Sequence, residues 1–308
     1  MKCINKWICL SLLIAVSCVS GCGKTSAAIE QPYDVYATAA DFGLSSNGSA
    51  EAKSYFASDL CVSEDVAIGT DSTDSQVAEG AGTFNLETNT VVYAKNLYER
   101  LYPASTTKIL TAYIALKYCD DLDAMVTVSE NAVNQASDSS VCNLKAGDVI
   151  RLRDLLYGLM LRSGNDAAVA IAEYISGDVD SFAALMNQEA AAMGATRSHF
   201  VNPNGLPDEN HYTCVYDMYL IFSNAIKNDT FVSIIGTTSY DVTYTDASGE
   251  AVTHTWENTN QYLTGNATTP DGFQIVGGKT GTTGEAGYCL VLYSYNPSGQ
   301  PIISIVFK

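Results

Sequence analysis

The sequence predicts a mixed α/β fold, more strictly α+β, with one antiparallel sheet formed from both chain ends and a central, mostly helical subdomain between them. Two patterns carry this expectation. Strand-like segments flank Glu87 and return from Tyr240 to the C-terminus, whereas the segments between Ser105 and Ile226 repeat their apolar residues at helical spacing. The composition agrees: 308 residues, 47% apolar and 16% charged, suffice for a sizeable core and exclude collagen, a coiled coil and a polytopic membrane protein. Lys and Arg number 16 against 34 Asp and Glu, a net charge of −18. That balance leaves no basic surface for phosphates, so no nucleic-acid partner is expected.

The N-terminus reads as an address. Lys2 and Lys6 precede a 13-residue apolar stretch, Trp7 to Val19, which is too short to span a bilayer, and small residues follow in the secretory pattern. Val19-Ser20-Gly21-Cys22 resembles the lipobox of bacterial lipoproteins. Residues 1–21 are therefore expected to be a lipoprotein-type signal peptide, with Cys22 as first mature residue and lipid attachment point; the alternative is ordinary cleavage near Ala27-Ala28. Residues 22–80 read as an acidic Ser/Ala/Thr-rich tether, with 2 basic and 10 acidic residues from Gly23 to Gly80. Within it, Tyr55, Phe56 and Leu60 fall near a helical stripe, so Ala50 to Val62 could instead pack on the domain.

Residues 81–308 read as one domain without internal repeats. Thr83 to Leu86 and Val91 to Lys95 flank Glu87-Thr88-Asn89-Thr90 as a hairpin. Helical runs follow at Ser105 to Tyr118, Arg151 to Leu161, Ala167 to Ile175, Ser181 to Met193 (closed by Gly194) and Asp217 to Ile226. Strands are expected at Tyr240 to Tyr244, Ala251 to Trp256, Ile275 to Lys279, Tyr288 to Tyr295 and Pro301 to Phe307. Of nine cysteines, Cys3, Cys9 and Cys18 leave with the signal peptide and Cys22 is acylated, so five remain and at least one is unpaired. These five show no paired C-x-x-C spacing, and His199, His211 and His254 fall into no ligand motif, so no metal site is expected. The five thiols read as buried small hydrophobes.

Three short motifs occur in order. Ser105-Thr106-Thr107-Lys108 gives S-x-x-K at a helix start, Ser163-Gly164-Asn165 gives S-x-N in a helix-to-helix turn, and Lys279-Thr280-Gly281 gives K-T-G at a strand end. Each alone reads equally well as a capping serine, a polar turn or a surface lysine; the ordered trio in these settings resembles the signature of class A β-lactamases and penicillin-binding proteins, which implies nucleophilic acyl transfer. Residues three apart on a helix share a face, so Lys108 lies one turn from the Ser105 hydroxyl. A lysine serves as base only when neutral, and burial plus a second cation, Lys279, would lower its pKa. The Ser105 N–H at a helix start, with a strand N–H near Thr282, can bind developing oxyanion charge. Lys279 and Thr280 can present a cation and a hydroxyl to a carboxylate, Asn165 can bond a substrate amide, and Ser163 can relay a proton to a leaving amine.

From about Ala81 onward the chain resembles the low-molecular-mass penicillin-binding proteins, the serine-type D-alanyl-D-alanine carboxypeptidases of the β-lactamase/transpeptidase-like fold. The resemblance rests on Tyr93 to Arg100 with Tyr102 to Lys108, on Leu161 to Ala168, on Phe200 to Leu206, on His211-Tyr212-Thr213 with Asp217, and on Lys279 to Gly281 with Glu285 to Cys289. It implies Ser105 as acylated nucleophile, Lys108 as base, Ser163 and Asn165 as the second element, and Lys279, Thr280, Gly281 and Thr282 along the substrate-binding strand. The implied substrate is a peptidoglycan stem peptide ending in D-Ala-D-Ala; β-lactams would acylate the same serine, and no metal or organic cofactor is implied. The implied location is the extracytoplasmic face of the bacterial cell membrane, through the lipid on Cys22.

His211, six residues before Asp217, suggests a His–Asp pair, but the chemistry needs no imidazole and a structural role is expected; Arg162 is left outside the site. The family usually follows its last strand with a helix on the sheet, whereas this sequence stops at Phe307-Lys308, and Ala50 to Val62 is the candidate replacement. Related activities remain as alternatives. A class A β-lactamase should carry Glu-x-x-Leu-Asn between the second and third motifs, and that string is absent. A non-catalytic penicillin-sensing domain would need a transmembrane partner, while a D,D-transpeptidase or endopeptidase uses the same residues.

Overall fold

A computed structural model describes residues 57–69 and 77–308; the signal peptide, Cys22 and most of the tether lie outside the described residues. The chain runs through β1 (Gly80–Asn85), β2 (Thr90–Lys95), a 3₁₀ turn (Ala104–Thr107), α1 (Lys108–Tyr118), β3 (Met125–Thr127), α2 (Glu130–Val133) and β4 (Val149–Arg151). It continues with α3 (Leu152–Tyr157), a π turn (Gly158–Arg162), α4 (Asn165–Ser176), α5 (Val179–Ala192), α6 (Val215–Ala225) and α7 (Asp229–Ile235). The last strands are β5 (Ser239–Thr245), β6 (Ala251–Glu257), β7 (Gln274–Thr283), β8 (Gly287–Tyr295) and β9 (Pro301–Phe307).

The main sheet has the order β2-β1-β9-β8-β7 and joins the two ends of the domain as expected. Gly80 to Asn85 lie antiparallel to Ile302 to Phe307, so the first and last strands are neighbours and β7 becomes an edge. β9 buries Ile302, Ile303, Ile305 and Phe307, and α6 packs on β1 and β9. α1 buries Ile109, Leu110, Ala112, Ile114 and Ala115 and is apolar on nearly every face, which places it at the centre of the helical layer. Caps fix the later helices: the Asp178 carboxylate accepts the Ser181 N–H before α5, and Asn228 accepts the Thr230 and Phe231 N–H groups before α7.

Some expectations need correction. β5 and β6 do not join the main sheet; with β3 and β4 they form a second, four-stranded sheet, order β3-β4-β5-β6. β3 and β4 are three residues each, too short to show a period, which hid this sheet. Lys279, Thr280 and Gly281 lie inside β7, not at its end. Residues 59–69, read as tether, belong with the domain: the Cys61 N–H donates to Tyr219 Oη at 2.9 Å, and Ile68 exchanges two backbone bonds with Ala94. Residues 57–60 form a turn and bend and 61–62 have no regular secondary structure; the rest of Ala50 to Val62 lies outside the described residues. All five cysteines are free thiols, four buried and Cys119 partly so. Among the described residues, no helix is long and apolar enough to cross a membrane.

Candidate active site

Ser105 sits in the 3₁₀ turn that opens α1, just after Ala104, whose φ of 47° lies in the left-handed region. In a 3₁₀ turn residues three apart eclipse one another, so Lys108 Nζ reaches Ser105 Oγ at 2.8 Å. Lys108 is fully buried, and its Nζ also bonds Asn165 Oδ1 at 2.8 Å and the Asn204 carbonyl at 2.7 Å. Burial, and next the charge of Lys279, hold its pKa well below the ordinary lysine value. A neutral amine here donates to Asn165 and Asn204 and aims its lone pair at the Ser105 hydroxyl, the orientation a general base needs.

Ser163 occupies the turn between the π turn and α4, with φ of 61°. Its Oγ lies 3.0 Å from Lys279 Nζ, which also donates to the Thr280 carbonyl at 2.8 Å. Burial lowers Lys279 to about 7. Thr280 Oγ1 and Thr259 Oγ1 share a hydrogen bond of 2.6 Å. Two glycines permit the close approaches. A Cβ at Gly281 would stand 2.9 Å from the Ser105 nitrogen, so only glycine lets β7 lie against the nucleophile turn. Gly205, at φ +88°, lies so close to Ala104 that a Cβ would be 1.8 Å from its carbonyl oxygen. Two clefts meet at Ser105: one of about 440 Å³ beside Ser163, Thr259, Thr280 and Tyr288, and one of about 410 Å³ beside Asp138, Asn165, Asn204 and Glu285.

Comparison with known proteins shows the family. Residues 69–308 match the family model described as D-alanyl-D-alanine carboxypeptidase, peptidase family S11. The chain belongs to the D-alanyl-D-alanine carboxypeptidase family. It is 36% identical over 239 residues to the D-alanyl-D-alanine carboxypeptidase of Streptomyces sp. strain K15, covering 74% of this chain and 80% of that protein. It is 34% identical over 235 residues to DacF of Bacillus subtilis, covering 75% and 57%. The chain spans about half the length of several curated relatives, such as DacC of Escherichia coli at 51%. The crystal structure of the Streptomyces K15 DD-transpeptidase superposes with a TM-score of 0.69 at 34% identity, covering 75% of this chain and 89% of that one. DacD of Francisella tularensis gives 0.67 at 29%, covering 80% and 69%.

Within this family frame, direct bonds join Lys108 to both Ser105 and Asn165, and Ser163 to Lys279. Gly281 abuts the nucleophile turn, and Thr282 lines both clefts. Asn165 differs from expectation in one respect: its Oδ1 is taken by Lys108, leaving Nδ2 to donate. His211 does not pair with Asp217. Its Nδ1 accepts the Val201 N–H at 3.1 Å, so Nε2 carries the proton and donates to Thr107 Oγ1 at 2.9 Å. Burial pushes His211 down to about 4, so it stays neutral and ties the nucleophile turn to the 201 loop. Asp217 instead accepts the Arg197 N–H and the Ser198 hydroxyl. Arg162 is exposed.

Sequence reading gave no role to Asn204, Thr259 or Ser140. Asn204 acts through its backbone carbonyl, and Ser140 through the carbonyl that accepts the Asn165 N–H at 2.8 Å, contacts that no side-chain motif reveals. Thr259 reaches Thr280 from a loop 21 residues earlier in sequence whose only signal is polarity. The loop carrying Ser140 is pinned by Asp166, whose buried carboxylate accepts the Cys142, Leu144 and Ala167 N–H groups.

Proposed function

We propose that the chain is a serine-type D-Ala-D-Ala carboxypeptidase that removes the terminal D-alanine of peptidoglycan stem peptides through an acyl-enzyme on Ser105. Lys108 carries this reading: a buried amine with a strongly lowered pKa, 2.8 Å from a serine hydroxyl. Membership of the family supports the substrate class. Lys108 Nζ takes the Ser105 proton while Oγ bonds to the carbonyl carbon of the penultimate D-alanine. The Ser105 and Thr282 N–H groups face the resulting oxyanion, and Lys279 and Thr280 hold the terminal carboxylate. When the intermediate collapses, the C–N bond breaks and the proton that Lys108 took passes through Ser163 to the departing amine, which leaves Lys108 neutral. Water then adds to the ester, giving its proton to Lys108, which returns one to Ser105 Oγ as the ester bond breaks. β-Lactams acylate the same serine, because their strained amide presents the same carbonyl beside a carboxylate.

The same reading places the enzyme on the extracytoplasmic face of the bacterial cell membrane. Residues 1–21 act as signal peptide, Cys22 carries the lipid, and the acidic segment after it spaces the domain from the bilayer. Fatty-acid labelling that vanishes in Cys22→Ala supports the anchor; labelling that persists refutes it. For the chemistry, D-alanine release from diacetyl-Lys-D-Ala-D-Ala is measured for wild type and Ser105→Ala. Release by wild type alone is expected. A stable penicillin adduct on Ser105 without release would instead favour a sensor or a transpeptidase. Transfer to an amine acceptor is a specific second reading, since the similar Streptomyces K15 protein carries both the carboxypeptidase and the DD-transpeptidase name. Exchange of the terminal D-alanine for added glycine tests it.

A further inference from the structure

The two clefts that meet at Ser105 divide a substrate at its scissile bond. The larger one carries the paired Thr280 and Thr259 hydroxyls and takes the terminal carboxylate in the reading above. The acyl part of the peptide then lies in the 410 Å³ cleft on the other side. Two buried amides in that cleft are set for a peptide. Lys108 occupies Asn165 Oδ1 and the Leu206 N–H occupies Asn204 Oδ1, leaving both Nδ2 groups without an acceptor among the described residues. Both Nδ2 groups are free to donate to peptide carbonyls that enter the cleft.

The rim of the same cleft is acidic. Asp138 stands on the loop pinned by Asp166, and Glu285 stands in the β7–β8 turn. Both are exposed, and among the described residues neither forms an ion pair or side-chain hydrogen bond. No lysine or arginine lines the cleft. We propose that this cleft selects stem peptides whose third residue, the one preceding D-Ala-D-Ala, carries a free side-chain ammonium, held between Asp138 and Glu285. Acylating or cross-linking that amine removes its charge and two of its donors, so the cleft discriminates against it. The inference rests on the carboxypeptidase reading.

The test compares D-alanine release by the full chain from Nα-acetyl-Lys-D-Ala-D-Ala, with a free ε-amine, and from the diacetyl peptide. Two exposed charge pairs correspond to a preference in kcat/KM of about five- to tenfold for the free amine, shrinking with added salt. In the double variant Asp138→Asn, Glu285→Gln the ratio should approach one; both rates come from one preparation, so the folded fraction cancels. Equal rates in wild type, or an unchanged ratio in the variant, overturn the proposal while leaving the carboxypeptidase reading intact. If neither peptide is turned over but penicillin still acylates Ser105, the carboxypeptidase reading fails, and protection against that acylation reads the preference instead. Stronger protection by the free-amine peptide then supports the cleft assignment, and equal protection overturns it. Absence of both turnover and acylation removes both.

Discussion

Ser105–Lys108 and Ser163–Lys279 are both serine–lysine pairs with a buried amine, at 2.8 and 3.0 Å, yet the two lysines are held differently. Lys108 meets three fixed acceptors, so its ammonium has no donor left for substrate and its remaining chemistry is to lose a proton. Lys279 meets two, Ser163 Oγ and the Thr280 carbonyl, which leaves one N–H direction for an anion. Burial lowers both, but Lys108 is lowered further by the charge of Lys279. The number of acceptors and the neighbour's charge, rather than burial, separate the proposed base from the proposed cation.

The sharpest way to break this comparison is to make each lysine a permanent cation. Arginine cannot act as a base, so Lys108→Arg should lower the second-order rate of Ser105 acylation by penicillin by about 10³-fold. Lys279→Arg keeps the charge and should lose only about tenfold. Intact-mass kinetics measure both; equal losses would remove the distinction.

This contrast was only partly legible in the sequence. The ordered motifs name both serines and both lysines, and burial with a second cation was the expected cause of the Lys108 shift. The acceptors that set the lysines apart were not legible, because two of them, at Asn204 and Thr280, are backbone carbonyls that every residue type possesses. The fold behaved similarly. The main sheet follows from strand patterns at both ends, whereas the second sheet depends on two three-residue strands below the length at which a period shows. The glycines of the site gain their meaning only in three dimensions, where Gly205 meets Ala104 and Gly281 meets Ser105.

A pH profile sharpens the comparison by an effect of about tenfold across its limbs. In the proposed mechanism Lys108 works when neutral, so kcat/KM for D-alanine release should rise as it loses its proton on the acid side. In the same mechanism Lys279 works when charged, so kcat/KM should fall as pH rises through about 7. Lys279→Arg should flatten the alkaline limb and leave the acid limb in place. Lys279→Met should move the acid limb upward, because removing the neighbouring charge lets the Lys108 pKa rise. An alkaline limb that survives in Lys279→Arg assigns it to another group.

Stability should show the same asymmetry more weakly. The Lys279 pKa falls from 10.5 to about 7 on folding, so the folded state binds fewer protons between those values and stability rises with pH across that window. Below about 7 the lysine is charged in both states and the burial penalty is constant and largest. Lys279→Met should therefore raise Tm more at pH 6 than at pH 9. A gain independent of pH would mean that packing, not charge, accounts for it.

The smallest effect concerns the hydroxyl that supports the second pair. Thr259 donates its N–H to the Leu161 carbonyl, in the π turn before Ser163, and shares its hydroxyl with Thr280. Thr259→Val keeps the shape and the backbone bond and removes only the hydroxyl. One hydrogen bond of about 1 kcal/mol corresponds to a rise in KM of about fivefold for a D-Ala-D-Ala peptide, with little change in kcat. The Lys108 side of the site is untouched, so the pH position of the acid limb should not move. A peptide ending in an amide makes the decisive comparison. If Thr280 and Thr259 serve the terminal carboxylate, the amide peptide is poor in wild type and no worse in Thr259→Val. A variant that harms both peptides equally would assign Thr259 to the loop rather than to the carboxylate.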